Sequence, residues 1–162
     1  MSERVVCNTG PLIALAGVGQ LDLLQKLFSE VLVPEAVRRE VEAGGIAGLG
    51  KDALQKAPWI RVRPLLGPED VLLAALLDAG EAAVISLARQ ESVDLVLVDE
   101  VKARRVARDT YGMRVIGTGR TLVEGKRRGH LSAVRPLLDR MQANGYWIAP
   151  NIVAEILRVA GE

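Results

Sequence analysis

Apolar positions along this chain fall into two kinds of run. Short, nearly continuous runs end at a polar residue or a turn: Val5-Val6-Cys7 before Asn8, Val31-Leu32-Val33 before Pro34, Leu95-Val96-Leu97-Val98 before Asp99, and Val115-Ile116 before Gly117. That is the pattern of strands buried on both faces of a parallel sheet. Ile60 and Val62 alternate with arginines, which predicts a further strand over 59–63. Between these runs, apolar residues recur at helical spacing. Helices are predicted over 11–17, 20–28, 34–43, 51–57, 68–77, 80–91, 100–110, 118–128, 133–143 and 150–160. Pro34 suits a first helical turn, Gly129 suits a helix stop, and Gly44, Gly45, Gly48 and Gly50 make a flexible loop. Strands alternating with helices predict an α/β fold: three layers, α/β/α, around a central parallel sheet of about four to five strands. No repeat or linker divides the chain, so 1–162 reads as one domain, with helices from about 132 packed on it.

In an open parallel sheet, ligands bind at the carboxyl ends of the strands. Asn8 and Asp99 both fall there. On helix 34–43, Val33, Ala36, Val37 and Val41 form one apolar stripe, and Glu40 falls inside it. On helix 80–91, Glu81 shares the inward face of Val84, Ile85 and Ala88. An acid on a core-facing stripe is costly unless paired or metal-bound. Each residue alone has a plainer reading. Glu40 fits an exposed stripe edge or an arginine partner, Glu81 a capping box with Asp78, and Asp99 a helix N-cap. Together, two strand-end oxygens and two helical carboxylates converge on one place. Clustered carboxylates do not ionise together without compensation, and Mg²⁺ or Mn²⁺ takes oxygen ligands. One Cys and one His leave no zinc set. A carboxylate-bound Mg²⁺ or Mn²⁺ beside a basic rim is equipment for phosphodiester hydrolysis.

Composition narrows the setting. The chain is 49% hydrophobic but 3% aromatic, so the core is aliphatic. No apolar run reaches the ~20 residues of a membrane span, and Met1-Ser2-Glu3-Arg4 lacks the build of a signal peptide. Cys7 alone forms no internal disulfide, reads as a small buried strand residue, and fits a reducing, cytoplasmic setting. With a net charge of +1 the molecule as a whole is no polyelectrolyte partner, and the distribution of its charges matters more. Of 21 basic residues 16 are Arg, whose forks match phosphate; a codon-biased or heat-adapted proteome accounts for the excess as well.

The segments CNTGPLIALAGVGQLDLL (7–24), VLVPEAVRREV (31–41), DAGEAAVISLA (78–88), LVLVDEVKARRVA (95–107) and VIGTGRTLVEGKRRG (115–129) resemble a PIN domain, in particular the compact PIN-like branch of VapC-type predicted nucleases. They lie in order along nearly the whole chain. The resemblance implies a metal-dependent endoribonuclease, the toxin of a toxin–antitoxin pair, with homodimerisation and an antitoxin that occludes the site. It implies acids at four positions, matched here by Asn8, Glu40, Glu81 and Asp99. These four carry both the catalytic and the metal-ligating roles. A hydroxyl often follows the first position, here Thr9, and Glu100 is a possible extra acid. Asn8 departs from the pattern: its carbonyl oxygen can ligate a metal but adds no charge. The alternative function is therefore a catalytically weak or inactive PIN-like module that binds RNA or protein.

Lys102, Arg104, Arg105 and Arg108 follow Asp99 on one helix, and Lys126, Arg127 and Arg128 end another. Such groups hold an RNA backbone or form solvated faces that suit a helix dipole. Gly117-Thr118-Gly119 offers amides to an anion, although Thr118 also reads as an N-cap. Thr9 and Thr118 join the RNA-binding candidates. Aromatic platforms for single strands are scarce, and the pair Tyr146-Trp147 is predicted to pack the C-terminal helices. Leu137, Leu138, Met141, Ile152, Ile156 and Leu157 give apolar faces for the core or for a partner. His130 has no assigned role.

Overall fold

The structure, a computed structural model, describes residues 3–44 and 48–162. The middle of the predicted glycine loop and the opening Met1-Ser2 lie outside the described residues. Five strands form one wholly parallel sheet: β1 (Arg4–Cys7), β2 (Glu30–Pro34), β3 (Ile60–Arg63), β4 (Leu95–Leu97) and β5 (Arg114–Ile116), in the order β3-β2-β1-β4-β5. Ten α-helices among the described residues flank it, completing a three-layer α/β/α fold: α1 (Thr9–Gly17), α2 (Leu23–Leu27), α3 (Glu35–Glu42), α4 (Lys51–Gln55), α5 (Val71–Leu76), α6 (Ala79–Gln90), α7 (Val101–Arg105), α8 (Thr118–Arg127), α9 (Arg135–Ala143) and α10 (Pro150–Ala160).

The strands carry side chains on both faces into the core: Val5, Val6, Cys7, Leu32, Val33, Val96 and Leu97 are all fully buried. That is why their sequence is continuously apolar. Helix α6 packs across β1, β2 and β4, while α3 packs on β2 and β3 and against α6. Chain order runs outward from β1 to β3, crosses back to β4 beside β1, and continues to β5. Order therefore reverses between β1 and β4, the place where loops diverge and an open α/β sheet leaves a crevice. The register sets Cys7 level with Leu97, and the Asn8 amide donates to the Leu97 carbonyl at 3.0 Å. Asn8 is thus the last rung between the two central strands, with Asp99 just beyond β4.

The predicted helix over 100–110 is α7 followed by a π-helical turn, Val106–Thr110. Val106 and Ala107 are both buried in it, and such widened turns recur at functional sites. Leu137, Leu138, Met141 and Leu157 belong to the core. Glu162 ties the C-terminal helices together. Its carboxylate accepts from the Val134 and Arg135 amides, at 2.7 and 3.0 Å, and from Lys126. Those donors hold its carboxyl down at about 2. Among the described residues, no helix is long and apolar enough to cross a membrane.

Candidate active site

Asn8 is the N-cap of α1, in extended conformation, yet its side chain makes no capping bond. The sequence explains part of this. Pro11 stands at the third helical position and has no N–H to offer the cap. The Asn8 Oδ1 atom is buried and has no hydrogen-bond partner among the described residues. A buried amide oxygen left unpaired costs about 1–3 kcal/mol, so this atom is held at the switch point without visible compensation.

Thr9, the next residue, donates its hydroxyl to Glu40 Oε2 at 2.9 Å. Glu40 lies on α3 and is exposed. The inward stripe read from its spacing is open at this edge, because Val37 and Val41 alone carry the buried contact. The carboxylate is nonetheless confined: the Gly80 Cα lies against Glu40 Oε1, and a Cβ there would overlap it. Gly80 is thus the residue that lets α6 come up against the Glu40 carboxylate.

Glu81 forms the expected capping box, its Oε1 accepting from the Asp78 amide at 3.2 Å and its own amide donating to Asp78 Oδ1 at 2.8 Å. Its carboxyl is raised above the usual range. Burial is the main cause, and the charges of Asp78, Glu100 and Glu40 add to it. The charges of Glu40 on α3 and of Glu100 beyond β4 are thus felt at the Glu81 carboxyl. Because the folded-state value is raised, folding is penalised above it and the penalty disappears as pH falls through it. Glu81→Gln keeps the capping box, which accepts Gln, and removes the charge. Its melting temperature is expected to exceed the parent's by about 1–3 °C at pH 7. The gap should close near pH 4, below the ordinary glutamate value. Calorimetry across that range checks it.

Asp99 receives three donors. Its Oδ1 accepts from the Thr118 amide at 2.8 Å, and its Oδ2 from the Thr118 hydroxyl at 2.5 Å and from the Tyr146 hydroxyl. Asp99 does not cap the helix that follows it. It caps α8 from the neighbouring strand, where a carboxylate meets the helix dipole favourably. Two expectations are corrected here. Thr118, expected on the RNA surface or as an N-cap, is 1% exposed and is the first residue of α8, with Gly117 as the N-cap. Its donors are engaged by Asp99. Of the pair expected to pack the C-terminal helices, Trp147 is 78% exposed, whereas Tyr146 packs against the core and also reaches the site from the segment between α9 and α10. Burial and the Asp99 charge push its phenol well above the ordinary range, so it stays a proton donor. The sequence carries no signal for this contact, which joins residues 47 apart. Cys7 beneath it is buried, its thiol pushed up by desolvation and by Asp99.

Tyr146→Phe removes one hydrogen bond to a charged acceptor, worth about 1.5–3 kcal/mol. The melting temperature is expected to fall by about 3–8 °C, followed by circular dichroism.

Of the four sequence-derived ligands, Asn8 and Asp99 follow the adjacent strands β1 and β4, while Glu40 on α3 bonds Thr9 and lies against Gly80, the residue before Glu81 on α6. Among the described residues, no three Asp, Glu, His or Cys side chains gather closely enough to hold a metal by themselves. One of the four is an amide, and Asp99 is turned toward Thr118 and Tyr146. The donor chemistry is all oxygen, which suits a hard cation.

On the basic side, Lys102, Arg105 and Arg108 are exposed, Arg108 beside Asp109 at 3.6 Å. Arg104 is half-buried and donates to the Val98 carbonyl at 3.0 Å, bracing the end of β4. Lys126 is bound to Glu162, and Arg127 and Arg128 to Glu124.

A family model described as "PIN domain" matches residues 4–162 of this chain. No curated protein and no solved structure matches it.

Proposed function

The chain belongs to the PIN-domain family, and from that premise we propose that it is an Mg²⁺- or Mn²⁺-dependent endoribonuclease. We read it further as the toxin of a toxin–antitoxin pair of the VapC type, acting as a homodimer that its antitoxin silences. The observation that carries the nuclease reading is the unpaired, buried Asn8 oxygen at the switch point, at the end of the strand beside β4, after which Asp99 follows, and one residue before Thr9, which bonds Glu40. An oxygen held without a partner among acids is a position a cation completes.

Asn8 Oδ1 and Asp99 would hold the ion from the sheet, and Glu40 and Glu81 from the helices. Bound there, the cation supplies an activated water and neutralises charge developing on phosphorus. Thr118 and Tyr146 fix the Asp99 carboxylate, Thr9 fixes Glu40, and the packing at Gly80 keeps Glu40 from swinging away. The mutual repulsion at Glu81 gives the helical pair a reason to attract positive charge. Structured RNA incubated with the protein and Mn²⁺ is expected to be cut, and EDTA or Glu40→Gln to stop it. Cutting that persists in EDTA contradicts the reading.

Asn8 also favours the second reading, a binding module. With one carboxylate exchanged for an amide, the site attracts a cation less strongly than four acids would.

A further inference from the structure

A cavity of about 630 Å³ runs along β5, the outer strand of the sheet. Phe28, Val115 and Ile116 give it an apolar lining, and Arg104, Arg120 and Arg128 a cationic one. Arg114 also lines it, but is held by both Asp94 oxygens and by Glu3. The two acids of the lining, Glu3 and Glu124, are already paired with arginines.

The charge balance along α8 is uneven. Arg120, Arg127 and Arg128 share the single carboxylate of Glu124, at 3.7, 2.7 and 3.6 Å. That carboxyl is held below its ordinary range, first by the Arg127 hydrogen bond, so it stays charged and keeps the forks in place. Gly117, Arg120, Glu124 and Arg128 follow one another at helical spacing along one side of α8. They mark out a track about 16 Å long. The track leads to the candidate active site. At its end, Arg104 Nη1 and Asp99 Oδ1 both stand against Gly117, where a Cβ would lie 2.6 and 2.9 Å from them. Arg104 has no acidic partner among the described residues and gives one donor to the Val98 carbonyl.

We propose that this groove binds single-stranded RNA on its way to or from the acidic site, phosphates on Arg104, Arg120 and Arg128 and unstacked bases on the apolar lining. The inference rests on the ribonuclease reading and assigns its substrate a path. An arginine rim beside an apolar lining matches a strand whose bases are free to leave the stack. A duplex keeps its bases inside and leaves the lining unfilled. The rival occupant is an acidic peptide added as a strand to the β5 edge.

The test measures binding apart from cleavage. A labelled single-stranded RNA of mixed sequence is titrated in EDTA against the parent, Arg120→Gln/Arg128→Gln and Lys102→Gln/Arg108→Gln, each checked for folding by circular dichroism. The groove variant is expected to bind about tenfold more weakly, with a salt slope shallower by about 1.4, at about 0.7 per phosphate contact. The duplex of the same sequence should bind more weakly than the single strand and respond less to the groove change. Unchanged affinity in the folded groove variant overturns the proposal, as does a loss confined to the Lys102/Arg108 variant. A polyglutamate peptide that binds with the same arginine dependence, where RNA shows none, overturns it in favour of a protein partner. Cleavage is read separately with Mn²⁺. RNA bound in the groove but not cut by an Asp99-dependent reaction sustains the path and removes the nuclease. Asp99-dependent cutting with groove-independent binding sustains the nuclease and removes the path.

Discussion

Asp99→Asn is expected to lower Mn²⁺-supported RNA cleavage by about 10²–10³-fold, the factor that about 3–4 kcal/mol of lost transition-state stabilisation produces. The substitution keeps size and removes charge. Asp99 is the acid most firmly set in the site, with Thr118 supplying two donors and Tyr146 a third. An amide there also turns an N–H₂ toward groups that are themselves donors, so a loss of stability of about 1–3 kcal/mol accompanies the loss of activity. The two effects separate by titration. Mn²⁺ affinity measured calorimetrically below the melting transition should fall in Asp99→Asn, whereas Tyr146→Phe, destabilised to a similar extent, should lose less of it. Equal Mn²⁺ affinity in parent and Asp99→Asn would leave Asp99 as the cap of α8 and nothing more.

Asn8→Asp is expected to act in opposite directions with and without metal. In EDTA the new carboxylate sits buried at the end of β1, where the Oδ1 position has no hydrogen-bond donor among the described residues. A buried charge without a partner costs about 2 kcal/mol or more, so the melting temperature should drop by about 4–8 °C. Adding Mn²⁺ should restore it and raise cleavage above the parent, because the cation now meets a full charge at the sheet end. Cleavage that appears only in the Asn8→Asp protein favours the binding-module reading of the natural chain. A variant that is destabilised in EDTA and not rescued by Mn²⁺ places the acidic site outside metal chemistry.

How far the sequence foretold this site differs from residue to residue. The strand-end positions of Asn8 and Asp99 were legible because a buried parallel strand is a continuous apolar run, and the polar residue that ends it falls on the carboxyl side of the sheet. Glu81 was legible twice over, as a capping box and as an inward acid, and the two roles coexist in one side chain. For Glu40 the spacing found the right helix face but overstated its burial, since only Val37 and Val41 reach the core. Tyr146 and the capping of α8 by Asp99 were not legible. Both join segments distant in the chain, and no local period records which strand end faces which helix start. The widened turn at Val106–Thr110 was hidden for a different reason: it follows a helix of ordinary composition. The groove along β5 lay between these cases. The arginines of α8 are spaced like any solvated face, and only the sheet order reveals that they border an open edge leading to Asp99.

All of this depends on Asn8 Oδ1 being a cation ligand. The most direct measurement is anomalous scattering from a crystal soaked in Mn²⁺. The account predicts a peak bonded to Asn8 Oδ1 and to an Asp99 oxygen at about 2.1 Å, with Glu40 or Glu81 bound directly or through water. Density at saturating Mn²⁺ that leaves Asn8 Oδ1 unliganded, or a peak that avoids both strand ends, would contradict it.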